Sequence, residues 1–160
     1  MQVFIMRHGD ASVEAASDSR RPLTPCGYKQ SRQMAYWLRG QTVEIERVLV
    51  SPYLRAQQTL TAVREALSLP EGQDILPELS PGGDPCLVAY YLQILGNQGV
   101  KSAIVISHLP LVSYLVSKLC LQELPPMFAT SEVACVDFDP VYSEGKLLWR
   151  TGPSKLMQAI

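Results

Sequence analysis

A chain of 160 residues, 47% of them hydrophobic, can bury one ordinary core, so a single domain over residues 1–160 is expected. A formal net charge of -1 with 18% charged residues excludes a broad electrostatic grip on nucleic acid or an anionic membrane, so any anion must be held locally. Cys26, Cys86, Cys120 and Cys135 lie far apart with no CxxC pair, which excludes a dense disulfide framework and reads as free thiols.

The apolar residues Met1 to Met6 run straight into Arg7-His8-Gly9-Asp10, with no basic region before them and no small-residue cleavage site. No later apolar run approaches the ~18 residues needed to cross a bilayer. These features predict a cytoplasmic protein. Val3, Ile5 and their neighbours predict a buried first strand whose following loop carries Arg7 and His8. Ala11 to Arg21 is polar and without a clear period. Thr24-Pro25 then supplies an N-cap and a first-turn proline for a helix running to about Arg39-Gly40.

Arg47 to Val50 predicts a second strand, and Ser51-Pro52 reads as the cap and first-turn proline of a second helix. Ala56, Leu60, Val63 and Leu67 follow at helical spacing and end before Pro70. Ile75-Leu76 is a weak third strand. Asp84-Pro85 repeats the cap signature and opens a helix through Leu92 and Leu95 to Gly96. Ala103 to Ile106 is the clearest strand, followed by Ser107-His108 and an apolar helix opened by Pro110. Ala134 to Phe138 and Lys146 to Trp149 predict a hairpin with Gly145 in its turn. Strands alternating with helices of this length imply a three-layer α/β/α fold around a mostly parallel sheet, mixed at the hairpin edge.

Ligands of open α/β sheets bind at the carboxyl ends of the strands. In this chain that rule selects Arg7-His8, Ser51 to Arg55 and Ser107-His108, and so collects both histidines. Arg55 falls in the first turn of a helix, where the positive end of the macrodipole disfavours a cation, so something anionic should compensate. Backbone N–H groups, a guanidinium and a helix dipole aimed at one place describe a phosphate site. Arg7 adds a second fork of donors.

These segments resemble the histidine phosphatase superfamily, the phosphoglycerate-mutase-like proteins. Arg7-His8-Gly9 is similar to its signature, and Leu23-Thr24-Pro25-Cys26-Gly27 to the opening of its first helix. Ser51 to Thr59 resembles its second motif, and Ser107-His108 its third. Arg7 to Ala11 together with Arg21 to Thr24 is most similar to the compact bacterial phosphohistidine phosphatases of that superfamily. Asp10-Ala11 departs from the Glu or Gln, then Ser or Thr, that often follows the glycine.

The resemblance implies a phosphoglycerate-mutase-like fold without a large inserted lid. It makes His8 the nucleophile and Arg7, Arg55 and His108 the clamp on phosphoryl oxygens, with no metal or other cofactor. Arg21 is either a further phosphate ligand or a surface charge. Glu78 is either the acid that protonates the leaving group or an exposed loop carboxylate, and Asp84 reads better as a helix cap.

Imidazole, with a conjugate-acid pKa of about 6.5, leaves far more easily than an alkoxide, so a doubtful acid suits phosphohistidine. The short stretch from Pro77 to Ser102 leaves the site open to a protein surface. The expected activity is hydrolysis of phosphohistidine on proteins, such as histidine phosphotransfer domains or phosphocarrier proteins, by a monomer through a covalent intermediate on His8. A general small-molecule phosphomonoesterase or mutase, and a non-catalytic phosphoprotein reader, are the alternatives. A metal site built on the two histidines lacks a third ligand, and Arg7 would repel the cation.

Overall fold

The computed structural model describes residues 1–41 and 44–158. A six-stranded sheet is built from β1 (Gln2–Arg7), β2 (Arg47–Val50), β3 (Asp74–Ile75), β4 (Ser102–Ser107), β5 (Val133–Asp139) and β6 (Glu144–Thr151), in the order β3-β2-β4-β1-β5-β6. The first four strands are parallel, and β5 and β6 add antiparallel to the β1 edge.

Helices cover both faces because the central strands alternate apolar residues on both. Val3 and Ile5 of β1, with Ala103 and Val105 of β4, face one core with α3 (Pro85–Asn97) and α4 (Leu111–Leu119). Phe4 and Met6, with Ile104 and Ile106, face the other with α1 (Pro25–Arg39) and α2 (Leu54–Ala66). All six residues of β4 are buried, as expected of a parallel strand covered on both sides. A last helix, α5 (Pro153–Gln158), packs against α1 and has no counterpart in the sequence reading, since its six residues are too few for a period.

Two of the three capping predictions hold in detail. The Thr24 side chain accepts from Gly27 N at 3.0 Å, and Asp84 Oδ1 accepts from Cys86 N at 2.9 Å. Ser51-Pro52 is a correction, because α2 begins at Leu54 with Tyr53 as its cap. Ser51 Oγ instead accepts from Tyr53 N at 3.1 Å, and the serine is fully buried. Pro110 likewise precedes α4 as its cap.

The hairpin turn is also corrected. Gly145 lies within β6, paired with Phe138, and the turn is formed by 140–143 with Ser143 at φ 54°. A Cβ on Gly145 would come within 2.5 Å of the Leu119 carbonyl oxygen, so that glycine admits the end of α4 against the hairpin.

Candidate active site

The carboxyl ends of β1, β2 and β4 lie side by side, with Arg7 in register with Ser107 and Val50 with Ile106. The loops leaving them meet at one place. Gly9 follows β1 under close constraint, since a Cβ there would sit 2.7 Å from both the Gly27 carbonyl and Ser31 Oγ. The Arg-His-Gly turn therefore lies hard against the start of α1, which fixes the preceding histidine.

His8 is buried, and its Nδ1 lies 2.7 Å from its neighbour's carbonyl, Gly9 O. A carbonyl only accepts, so Nδ1 carries the proton and Nε2 keeps its lone pair. Arg55 Nε, which only donates, points at that nitrogen from 3.4 Å. Burial pushes the His8 pKa down to about 4. The Gly9 hydrogen bond opposes the shift, and Arg55, Arg7 and Arg21 reinforce it. His8 is thus a neutral imidazole at pH 7 with a defined nucleophilic nitrogen.

His108 follows β4 and its ring lies tilted at 55° to that of His8, with centroids 5.0 Å apart. Its Nε2 lies 2.7 Å from Ser51 Oγ, and Tyr53 meets it edge-on with ring centroids 5.1 Å apart. Burial, then the charges of His8 and Arg55, push its pKa down to about 3. Its Nδ1 and the Nε of Arg7 are buried nitrogens with no hydrogen-bond partner among the described residues. Both belong to residues assigned to phosphoryl binding from sequence.

Arg55 is 4% exposed. Its Cζ sits 5.1 Å over the Tyr53 ring, NH1 donates to Asp18 O at 2.6 Å, and NH2 donates to Asp18 Oδ2 at 3.3 Å. The anionic partner expected for a cation at a helix N-terminus is therefore, in the free chain, the chain's own Asp18. Burial alone would raise the Asp18 carboxyl, but hydrogen bonds from Arg21 and Arg55 outweigh it and hold it below the ordinary carboxylate range. Arg21 NH1 reaches Asp18 Oδ1 at 3.2 Å and its Nε donates to Ser12 O at 2.8 Å. Arg21 joins the site through Asp18.

Arg7 is turned inward by Phe128 O, which accepts from NH1 at 2.9 Å. Burial, then the facing charge of Arg55, lowers its pKa, so two guanidiniums converge on one place. Thr59, one turn beyond Arg55, links the motifs. Its Oγ1 accepts from Gly9 N at 3.0 Å and donates to Arg55 O at 2.7 Å.

Glu78 makes none of the hydrogen bonds that join this group among the described residues. It occupies a single turn of 3-10 helix, Pro77–Leu79, and lines an apolar groove with Leu87, Tyr90, Tyr91 and Ile94. Among the described residues its carboxylate takes part in no hydrogen bond or ion pair, whereas the next residue's carbonyl, Leu79 O, accepts from Ser107 Oγ at 2.6 Å.

Sequence reasoning missed Asp18, Phe128 and the loop that holds it. Asp18 sits in a stretch with no period, and Phe128 acts through its backbone, which no side-chain signal reveals. Thr59 was legible only as a letter of the second motif. Among the described residues no three His, Cys, Asp or Glu side chains group to hold a metal ion, and no helix is long and apolar enough to cross a membrane.

The family model for the histidine phosphatase superfamily (branch 1) matches residues 3–81. The chain is 59% identical over 159 residues to the phosphohistidine phosphatase SixA of Escherichia coli (strain K12), covering 99% of this chain and 98% of that protein. It is 39% identical over 151 residues to the SixA homolog of Haemophilus influenzae, covering 90% and 92%. The solved structure of the protein histidine phosphatase SixA complexed with tungstate is 60% identical and superposes with a TM-score of 0.96, over 98% of this chain and 99% of that one.

Proposed function

The chain belongs to the histidine phosphatase superfamily, and from that premise we propose that it hydrolyses phosphohistidine on proteins through a covalent phosphohistidine on His8. The observation that carries the proposal is the fixed tautomer of His8. Nδ1–H is committed to Gly9 O, and Nε2, its lone pair facing Arg55 Nε at 3.4 Å, lies in the cluster formed by Arg55, His108 and Arg7.

In the first half-reaction Nε2 attacks phosphorus and the P–N bond of the substrate breaks. The substrate ring, protonated from solvent on its other nitrogen, keeps the bonding pair and departs as neutral imidazole, which a ring pKa of about 6.5 makes easy near neutrality. Positive charge growing on the His8 ring is relieved by the Nδ1–H bond to Gly9 O. Arg55, Arg7 Nε and His108 Nδ1 donate to the equatorial oxygens, where phosphoryl-transfer catalysis is concentrated. His108 donates from Nδ1 when Ser51 O–H donates to its Nε2, an arrangement that the 2.7 Å contact allows. Water then attacks the phosphoryl group on His8, releasing inorganic phosphate and restoring the lone pair. Asp18 gives up its share of Arg55 to the incoming oxygens.

Tungstate in the SixA structure is an oxyanion of the kind this cluster of donors accepts. One domain carries the whole site. The reading includes a cytoplasmic monomer acting on a protein, with no part for nucleic acid, membrane or cofactor. No hydrogen bond or ion pair among the described residues directs the Glu78 carboxylate toward His8 or His108, which supports a P–N rather than a P–O substrate. The test compares kcat/KM for a phosphohistidine-bearing carrier protein with that for a small alkyl phosphate, in the parent and in Glu78→Gln. The proposal expects a strong preference for the P–N bond and little effect of the substitution on it. Equal efficiency on the alkyl ester, with a large loss in Glu78→Gln, would make the protein a general phosphomonoesterase.

A further inference from the structure

Arg7 is aimed by a carbonyl, and a carbonyl is only as fixed as the loop bearing it. The loop entering β5 is fastened on both sides of Phe128. On one side Arg150 NH2, from β6, donates to Met127 O at 3.2 Å. On the other, Glu132 Oε1 accepts from Ala129 N at 3.1 Å. The two fasteners are joined, since Arg150 Nε donates to Glu132 Oε2 at 2.8 Å and the Arg150 guanidinium lies 5.9 Å over the Phe128 ring.

Glu132 is 8% exposed and spends both carboxylate oxygens on this arrangement, while its backbone O accepts from Arg7 N at 3.0 Å. The residue before it, Ser131, holds a left-handed backbone at φ 62° and donates its N–H to His8 O at 3.1 Å. A serine kept in that conformation and fully buried is the kind of local cost that surrounding structure must enforce.

From this geometry we infer that Glu132 is a positioning residue for phosphoryl binding, acting with Arg150 to hold the Phe128 carbonyl that orients the Arg7 fork. The inference rests on the reading of Arg7 as a phosphoryl clamp given above. Glu132 holds the peptide that carries the Phe128 carbonyl through its Ala129 N–H, and Arg150, paired with Glu132, holds the preceding peptide through Met127 O. In Glu132→Gln the amide keeps one acceptor for Ala129 N but turns an N–H donor toward Arg150, so the hold of Arg150 on Met127 O is lost and the peptide bearing the Phe128 carbonyl is fastened on one side only.

The experiment titrates tungstate against the parent, Glu132→Gln, Arg7→Lys and the double variant, with thermal unfolding to confirm the fold. Losing a charge-assisted hydrogen-bonded network should weaken tungstate binding about tenfold in Glu132→Gln. On the Arg7→Lys background the same substitution should change affinity less than about twofold, because a single ammonium lacks the planar fork being aimed. Arg150→Lys, at a partly exposed position, keeps the charge but cannot reach both Glu132 and Met127, and should show a loss of about threefold with the fold intact.

Equal loss on both backgrounds, or unchanged affinity in Glu132→Gln and Arg150→Lys while Arg7→Lys binds weakly, overturns the inference and leaves the phosphoryl-clamp reading standing. Unchanged affinity in Arg7→Lys overturns both.

Discussion

Lowering the pH from 7 to 5 should destabilise the protein through its two buried histidines. In an unfolded chain both rings titrate near 6.5, whereas in the fold they hold out to about 4 for His8 and about 3 for His108. Between those limits the unfolded state binds more protons, so stability present above about pH 6.5 falls with pH and stops falling below about pH 3. By this linkage each ring contributes a loss of about 2 kcal/mol between pH 7 and 5, and the pair about 4 kcal/mol. The sign follows from burial, reinforced at His8 by Arg55, Arg7 and Arg21 and at His108 by His8 and Arg55, which outweigh the opposing charge of Asp18. Urea unfolding at the two pH values, in the parent and in a His8→Asn/His108→Asn double variant, isolates the term because the carboxylates titrate in both. The parent should lose about 4 kcal/mol more than the variant. Equal losses would mean that these rings are solvated or paired in the fold, and the argument for a neutral His8 nucleophile at low pH would fail with them.

Arg55→Lys should lower kcat/KM about 100-fold, because an ammonium cannot hold Asp18 O and phosphoryl oxygens together, and a loss under about threefold would contradict the assigned clamp. Asp18→Ala removes the carboxylate that shares Arg55 NH2 while leaving the backbone bond from NH1. Tungstate should then bind about threefold more tightly by titration, and weaker binding would show that Asp18 supports the anion site rather than competing with it.

The sheet and the loops of the candidate site were legible because each rests on local chemistry. Parallel strands buried on both faces read as apolar runs, and Thr24 and Asp84 announce their helices through the bonds they make. The strand-end rule then gathered Arg7, His8, Arg55 and His108 without any knowledge of distances. What escaped depends on contacts distant in sequence. Asp18 earns its place only when a helix 37 residues away delivers Arg55, and Glu132 only when β6 brings Arg150 beside it. Gly145 was read as a turn because glycine usually marks one, whereas its reason is the close approach of Leu119 O. Ser51 looked like a cap because the pattern Ser-Pro fits one, yet its hydroxyl serves His108.

The central claim is that the phosphoryl group passes through His8. Its most direct test is rapid quenching of the protein mixed with a phosphohistidine-bearing carrier protein labelled on phosphorus, followed by mapping of the label. The account predicts an acid-labile, alkali-stable phosphoryl group on His8 that forms before phosphate release. Release of phosphate with no label on His8 at any quench time, or turnover in His8→Ala within tenfold of the parent, would contradict it.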